Sequence, residues 1–507
     1  MKDRISLWLS IVGIVGALCF VLWPLLRPGF YVSDDGEWMV IRLSAFYQSL
    51  SGGQFPVRFL GRLNNSYGYP VANFLYPGFL YIGSVLHLLG LSLVSAVKGI
   101  LGTAVIGGTL ALFATLRTRF RMIPSLLGTL SFVFSPYLLF DVYRRGSVGE
   151  VLAIAAFALA LFSLTRKLPW LFAPSIGLLI VSHNTVALIA MLALLPLLLL
   201  TKDRYRMLLA ALIGVGASAF FWLPALVEKR FVRFDAVAVS NPLEYFISME
   251  HAQLLGLTTI IALALLIGWR VKRTLYERVM IGIVVAGFVF SLPVSFPVWR
   301  LPQLGALVQF PYRFLVLPTV LGPWIVACVA EQLKGWKLLL LSSVFVFVWL
   351  MGATTQLREV EFNDRALGYY MTNEGTTNVA DEYMPRWVKD VSKSRPVETL
   401  EVIDGDVTLS TRTFTGEHMV VQAEAKVPSI VQINKIYYPG WGITIDNTLV
   451  PIDYQNATGV MRVTIPQGKH TLVAAFRETP LRFAADMVSV LSVICYAVMI
   501  RRLSKTI

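Results

Sequence analysis

Twelve stretches of this chain are apolar for about the length a helix needs to cross a bilayer, roughly 20 residues for a hydrocarbon layer about 30 Å thick. They fall at about 5–26, 94–116, 122–140, 149–165, 168–183, 184–200, 207–227, 251–269, 279–294, 313–330, 338–355 and 481–500. Lipid offers no partner to backbone N–H and C=O groups, so such a chain must fold as a bundle of helices. Only 15% of the 507 residues are charged, against 56% hydrophobic. That balance excludes a multidomain soluble enzyme and a disordered chain, and three cysteines are too few for a disulfide scaffold. The pair 168–183 and 184–200 is short for two spans and reads as a tight hairpin or a partly immersed pair. The first stretch follows Met1-Lys2-Asp3-Arg4, is too long for the apolar part of a signal peptide, and reads as an uncleaved anchor. Leu18 before Cys19 is not the small residue a lipoprotein cleavage site requires.

The formal net charge of +14 would suit a nucleic-acid binder only if it clustered on a soluble face, and it does not. Residues 356–480 hold 12 Lys and Arg against 16 Asp and Glu, while the remainder holds 32 against 14. The membrane part is therefore basic and the tail is acidic. Orientation turns on the apolar stretch Phe79–Leu93. If it does not span, Lys2, Arg4, Arg117, Arg119, Arg121, Arg166, Lys167, Lys202, Arg204, Arg206, Arg270, Lys272, Arg273, Arg278, Lys334, Lys337, Arg501, Arg502 and Lys505 all face the cytoplasm with four acids, as the positive-inside rule requires. Phe79–Leu93 thus reads as an interfacial or re-entrant helix, both termini as cytoplasmic and the tail as extracytoplasmic. The expected organisation is a transmembrane domain over 1–355 with a long first outer loop at 27–78, a β-rich domain over 356–480, and a last transmembrane helix with a basic tail over 481–507.

The tail carries β-branched, partly alternating runs at Ser429–Ile436, Gly442–Asp446, Gly459–Ile465 and His470–Phe476, with further runs at Thr399–Leu409 and His418–Ala425. Pro466-Gln467-Gly468 predicts a hairpin between the last two of the first four. Together these runs predict a small extracytoplasmic sandwich of about 100 residues.

The outer loops should hold few cations, yet they contain Arg27, Arg42, Arg58, Arg62, Arg144, Arg145, Lys229, Arg230, Arg233, Arg300 and Arg313, with nine acids. Arg pairs bidentately with phosphate, so this cluster suits a phosphate-bearing lipid head group, although snorkelling and local ion pairs would also place cations there. The first outer loop opens with Ser33-Asp34-Asp35-Gly36-Glu37-Trp38. Adjacent carboxylates repel, so one holds a raised pKa or the pair shares a cation. Either state is useful, as a general base or as a ligand for a divalent metal; a solvated cap on a helix beginning near Gly36 is the plain alternative. Asp141 to Glu150, with Arg144 and Arg145 between them, His183-Asn184, Glu228 and Arg313 put further ionisable groups near membrane depth, where they are expensive and functional by default. The other histidines (His87, His251, His418, His470) show no metal-ligand spacing. Phosphate-loop, zinc-protease, CxxC and nucleophile-elbow motifs are absent, and Cys19, Cys328 and Cys495 lie within spans.

A span, a long outer loop opening with an acidic pair, many further spans and an outer β domain resemble the GT-C class of membrane glycosyltransferases, and more narrowly the bacterial "6-pyruvoyl-tetrahydropterin synthase-related" and YfhO-like membrane proteins. No feature here suggests pterin chemistry. The resemblance rests on Asp34-Asp35-Gly36 with Arg42, Gly53-Gln54-Phe55-Pro56-Val57-Arg58, Tyr67-Gly68-Tyr69-Pro70, Tyr143-Arg144-Arg145-Gly146 through Glu150, Ser182-His183-Asn184, Phe310-Pro311-Tyr312-Arg313 and Tyr437-Tyr438-Pro439-Gly440-Trp441. It implies an enzyme of the bacterial plasma membrane that moves a sugar from a polyprenyl-phosphate donor to a glycan, lipid or polymer acceptor on the outer face, with inversion. Asp34 or Asp35 would serve as base or as ligand to a divalent cation such as Mg or Mn. Donor phosphate and substrate would be held among Arg42, Arg58, Arg144, Arg145, Glu150, His183, Glu228 and Arg313. Relatives are expected to carry a histidine where Met39 stands. The competing expectation is a lipid or oligosaccharide transporter, which would place ionisable groups near mid-membrane and repeat its broken helices in related halves; this chain keeps its charges at the span ends and shows no repeat.

Overall fold

The computed structural model describes residues 2–234, 242–249, 251–269, 273–358, 360–376 and 381–504; the expected cytoplasmic cations Arg270, Lys272 and Lys505 lie outside them. Seven helices among these residues are long and apolar enough to cross a membrane: Ser6–Leu26, Leu93–Leu116, Met122–Arg145, Val148–Thr165, Pro311–Gln332, Gly335–Arg358 and Pro480–Arg502. At 1.5 Å rise per residue they run from about 27 to 36 Å. Two more pairs qualify only if each bent pair is one span, Arg204–Ala217 with Ala219–Phe231 at 63° and Leu275–Ser291 with Pro293–Trp299 at 88°. Proline after the second break removes a backbone donor, which is the usual cause of such kinks. Four shorter apolar helices occur as well, Gly78–Leu88, Pro169–Ser182, Asn184–Leu199 and Leu257–Gly268; the last three, with the long helices and the bent pairs, correspond to the twelve stretches of the sequence, and Gly78–Leu88 to the Phe79–Leu93 stretch. This is a multi-pass membrane protein. The helix Gly78–Leu88 has 11 residues and is too short to cross alone.

Local chemistry sets these ends and contacts. Ser92 Oγ accepts from Ser95 N–H at 3.1 Å to start Leu93–Leu116. Thr274 and Glu277 form a reciprocal capping box for Leu275–Ser291, satisfying two orphan donors. Small residues let membrane helices approach closely; a Cβ on Gly128 would stand 2.5 Å from the Pro323 carbonyl oxygen.

Ten strands occur among the described residues: β1 Phe30–Tyr31, β2 Phe362–Asn363, β3 Leu400–Asp404, β4 Val407–Phe414, β5 His418–Ala425, β6 Ser429–Ile436, β7 Trp441–Ile445, β8 Thr448–Val450, β9 Val460–Ile465 and β10 Gly468–Phe476. Strands β4-β5-β10-β7-β8 form one sheet and β3-β6-β9 another. Alternating side chains on β5, β6, β7 and β9 are buried, so each sheet turns an apolar face inward. Two expectations change. The single run Thr399–Leu409 divides at Gly405, whose φ of +94° favours glycine, and its halves join different sheets. The turn at Pro466-Gln467-Gly468 is not a hairpin: β9 pairs with β6, whereas β10 pairs with β5 and β7. Alternation marks both strands but carries no information about their partners.

The β domain is tied to the first loop. Lys435 Nζ donates to the carbonyls of Gly61 (3.0 Å) and Ser66 (2.5 Å), Glu417 accepts from Ser49 Oγ at 2.6 Å and Gly61 N–H at 3.2 Å, and Ile436 N–H donates to Tyr67 O at 2.8 Å. Burial pulls the Lys435 amine down to about 8 and pushes the Glu417 carboxyl up. Strand β2 pairs antiparallel with β1, so the chain after Gly335–Arg358 returns to the start of that loop.

Candidate active site

The acidic pair is placed by backbone rather than by charge. Asp34 N–H donates to Arg144 O at 3.0 Å and Asp35 N–H to Arg145 O at 2.8 Å, so the opening of the first loop lies along the end of the helix Met122–Arg145. That helix widens into a π turn over Phe140–Arg145, a form frequent at functional sites, and is separated from Val148–Thr165 by Gly146 and Ser147 alone. Gly146 has φ +64°, and a Cβ there would stand 2.6 Å from Ser33 Oγ and 2.8 Å from Gly36 N. Only glycine permits that approach. Asp35 is the N-cap of the helix Gly36–Ser51, where the helix dipole favours a carboxylate, and Ser33 Oγ accepts from Gly36 N–H at 3.2 Å.

Behind Asp35 lies a buried ionic cluster. Arg145 Nη2 is 3.8 Å from Asp35 Oδ2, and its Nη1 reaches Asp141 Oδ1 at 3.0 Å and Glu150 Oε2 at 2.5 Å. Glu150 Oε2 also faces Arg313 Nε at 3.5 Å and His183 Nε2 at 3.7 Å, while Glu150 Oε1 accepts from the Tyr137 hydroxyl. Arg313 Nη1 donates to Val308 O and Gln309 Oε1, both at 2.9 Å. His183 Nδ1 accepts from Val186 N–H at 3.3 Å as the cap of Asn184–Leu199, so the ring proton sits on Nε2, toward Glu150. The rings of Phe310 and Tyr312 stack 5.3 Å apart beneath the guanidinium groups of Arg145 and Arg313. Glu150 is thus the hub: two cations, an imidazole and a phenol share one carboxylate. Hydrogen bonds of the cluster are incomplete at Asp141 Oδ2 and Arg313 Nε.

Exposure separates the acids. Asp34 is exposed and Asp35 half-buried with 29% of its side chain accessible, whereas Asp141 and Glu150 are fully buried. Partial desolvation raises the Asp34 carboxyl pKa, Asp35 adds to the rise, and Arg144 and Arg145 oppose it. Tyr76 packs against the cluster with its ring 4.8 Å from His183. Burial is the main cause that pushes its hydroxyl up to about 12; Asp35 adds to the rise, and Arg42, Arg313 and Arg145 oppose it.

The structure therefore brings Asp34, Asp35, Arg144, Arg145, Glu150, His183 and Arg313 together, with Arg42 on the same helix as the Asp35 cap. It does not bring in Arg58 or Glu228. Arg58 donates to Glu478 (3.1 Å), Asp486 (3.0 Å) and the Phe220 carbonyl (2.6 Å). Glu228 accepts from Arg482, Asn73 (2.8 Å) and Tyr438 (3.0 Å). Both fasten the last helix to the first loop and the β domain. Met39 is buried and packs in the core. Sequence reading passed over Tyr76, Tyr137 and Tyr383, which carry no local motif, and marked Asp141 as an ionisable group near membrane depth without giving it a site role. Among the described residues no group of three or more His, Cys, Asp or Glu is arranged to hold a metal ion.

No family model matches the sequence, and no characterised protein sequence is similar to it. Solved structures are. The archaeal oligosaccharyltransferase AglB from Archaeoglobus fulgidus, in complex with an inhibitory peptide and a dolichol-phosphate, superposes with a TM-score of 0.50 at 12% identity, over 78% of this chain and 62% of that one. The chain has the GT-C fold. Similarity extends to the arabinofuranosyltransferase AftD from Mycobacteria (TM-score 0.47, 15% identity, 69% of this chain and 26% of that one) and to ArnT from Cupriavidus metallidurans bound to undecaprenyl phosphate (0.45, 14%, 72% and 67%). The chain thus spans about a quarter of AftD and three-fifths of AglB. In this GT-C fold the acidic pair, the π turn and the Glu150 hub lie together beside the first loop.

Proposed function

We propose that the protein is a membrane glycosyltransferase that takes a sugar from a polyprenyl-phosphate donor and passes it to a hydroxyl of a glycan, lipid or polymer acceptor at the outer face of the bacterial plasma membrane. The observation that carries this reading is Asp35: a half-exposed carboxylate at a helix N-terminus, 3.8 Å from a buried guanidinium, within a fold shared with an enzyme seen with dolichol-phosphate. Asp35, or Asp34 beside it, takes the proton of the acceptor hydroxyl. The freed oxygen attacks C1 of the sugar from the side opposite the phosphate, the C1–O bond breaks, and its electron pair leaves on the lipid phosphate with inversion at C1. Arg145 and Arg313 are fixed before reaction by Glu150, so their positive charges stand ready for the charge that develops on the phosphate; Arg144 beside them is exposed. Asp34 and Asp35 would hold a divalent cation such as Mg or Mn only jointly with substrate phosphate, the way Mg is usually bound, where it would add charge stabilisation to the leaving group.

The test is loss of an undecaprenyl-phosphate sugar in the presence of purified full-length protein, compared with Asp34→Asn and Asp35→Asn. Turnover that neither substitution reduces removes the base assignment. Transfer of intact donor across proteoliposomes without cleavage replaces the reading with a transporter.

A further inference from the structure

Seven residues beyond Asp35, on the same helix, Arg42 is buried to 6% exposure. Its Nε is shielded from water without a hydrogen-bond partner, and no carboxylate among the described residues lies within 4 Å of it. A guanidinium does not give up its proton, and an uncompensated buried cation is strongly destabilising. Arg145 and Arg313 differ, since Asp141 and Glu150 neutralise them within the protein. Arg42 stands instead among phenols. It acts electrostatically on the hydroxyls of Tyr69, Tyr76 and Tyr383, with Glu382 acting on Tyr69 and Tyr383 from beyond ion-pair distance of Arg42. The Tyr69 oxygen accepts from Tyr383 N–H at 3.0 Å, and the Tyr383 ring stacks on Phe74 at 5.5 Å.

We propose that Arg42, with the hydroxyls of Tyr76 and Tyr383, binds an anionic oxygen group of the acceptor, so that the acceptor bears a phosphate or a carboxylate. This rests on the transferase reading above and adds the acceptor's chemical class. Geometry favours the acceptor over the donor. Seven helical residues are two turns, so the Arg42 backbone lies on the Asp35 face about 10 Å further along the helix. A donor phosphate is bonded to C1 and must lie within about 3–5 Å of the attacking hydroxyl, a place already taken by Arg145, 3.8 Å from Asp35. Arg145 and Arg313 already serve the donor phosphate in the reading above, so an anion at Arg42 is a second anionic group, carried by the acceptor, and Tyr383 comes to it from the chain that follows Gly335–Arg358.

Full-length protein in detergent is titrated with inorganic phosphate, glucuronate and undecaprenyl phosphate, with thermal stabilisation as the readout. Phosphate or glucuronate is expected to stabilise the wild type, with affinity lowered about tenfold or more in Arg42→Met, as for loss of a charge-assisted hydrogen bond, and largely restored in Arg42→Lys. Undecaprenyl phosphate affinity is expected to stay the same in all three. Equal anion affinity in wild type and Arg42→Met overturns the proposal, and so does a parallel loss of undecaprenyl phosphate binding, which would assign Arg42 to the donor. If Arg42→Met does not fold, the double variant Tyr76→Phe, Tyr383→Phe decides, and unchanged anion affinity there is equally fatal. Failure of the parent reading looks different: anion binding that depends on Arg42, with no donor cleavage, keeps the subsite and removes only the transferase.

Discussion

Two buried carboxylates, Glu150 and Glu228, each hold a buried arginine, and they differ in what surrounds them. Glu228 takes Arg482 through Nε at 3.0 Å and Nη2 at 2.8 Å, and Asn73 and Tyr438 donate to the same carboxylate. Its lone pairs are occupied by three elements of the protein that must stay together. Glu150 instead divides itself among two arginines, an imidazole and a phenol, and one of those arginines reaches on to half-exposed Asp35. A buried ion pair is therefore no evidence of chemistry by itself. What separates the two is the partly solvated acid that Arg145 faces; an unused donor does not, since Arg482 Nη1 beside Glu228 is also buried without a hydrogen-bond partner.

The largest effect that would break this contrast belongs to Asp35. Asp35→Asn should lower donor turnover by about 10²–10⁴-fold, the usual contribution of a general base, with an unchanged unfolding transition; a fall in stability without a specific loss of turnover would put Asp35 in the same class as Glu228. Next comes Glu228→Ala, which leaves Arg482 uncompensated and should destabilise by about 3–5 kcal/mol, read by thermal unfolding in detergent, while each folded molecule keeps its turnover. Gly146→Ala should then cost about 10–100-fold in turnover, because a Cβ 2.6 Å from Ser33 Oγ displaces the acidic pair and small misplacements at reacting groups are felt strongly; wild-type rates in this variant would separate the π turn from catalysis. The smallest effect is a pH dependence of docking. Unfolded Lys435 holds its proton to about pH 10, but the folded chain loses it at about 8. Between those values the unfolded state binds more protons, so stability should rise with pH, and Lys435→Met should flatten that rise.

Much of this arrangement could be read from the chain. Apolar length announced the bundle, alternation announced the strands between Leu400 and Phe476 except the short β8, and Asp34, Asp35, Arg144, Arg145 and Glu150, singled out at span ends, are brought together by the fold. The bond between loop and helix could not be read, because Asp34 and Asp35 dock through their own N–H groups onto the Arg144 and Arg145 carbonyls, which every residue possesses. Arg58 and Glu228 were expected at the substrate for the same reason that Arg145 was: ionisable groups near lipid demand partners, and sequence does not say whether a partner is Arg482 or a phosphate. Strand partners were equally silent. The turn after β9 has the residues of a hairpin and yet carries the chain from one sheet to the other.

The pairing of β1 with β2 bears on how the molecule is made. Glu37 is bonded to Asn363 at 2.9 Å across 326 residues of sequence, and Arg365 and Tyr370 hold the same carboxylate. Synthesis proceeds from the N-terminus and closing so long a loop carries an entropic penalty, so the acidic pair leaves the ribosome hundreds of residues before the segment that braces it. Until that segment and Tyr383 arrive, the first loop has its helix but not its second wall. A nascent chain therefore lacks the segment that braces the acidic pair for most of its translation, and on the transferase reading proposed above, donor cleavage begins only once that segment is in place.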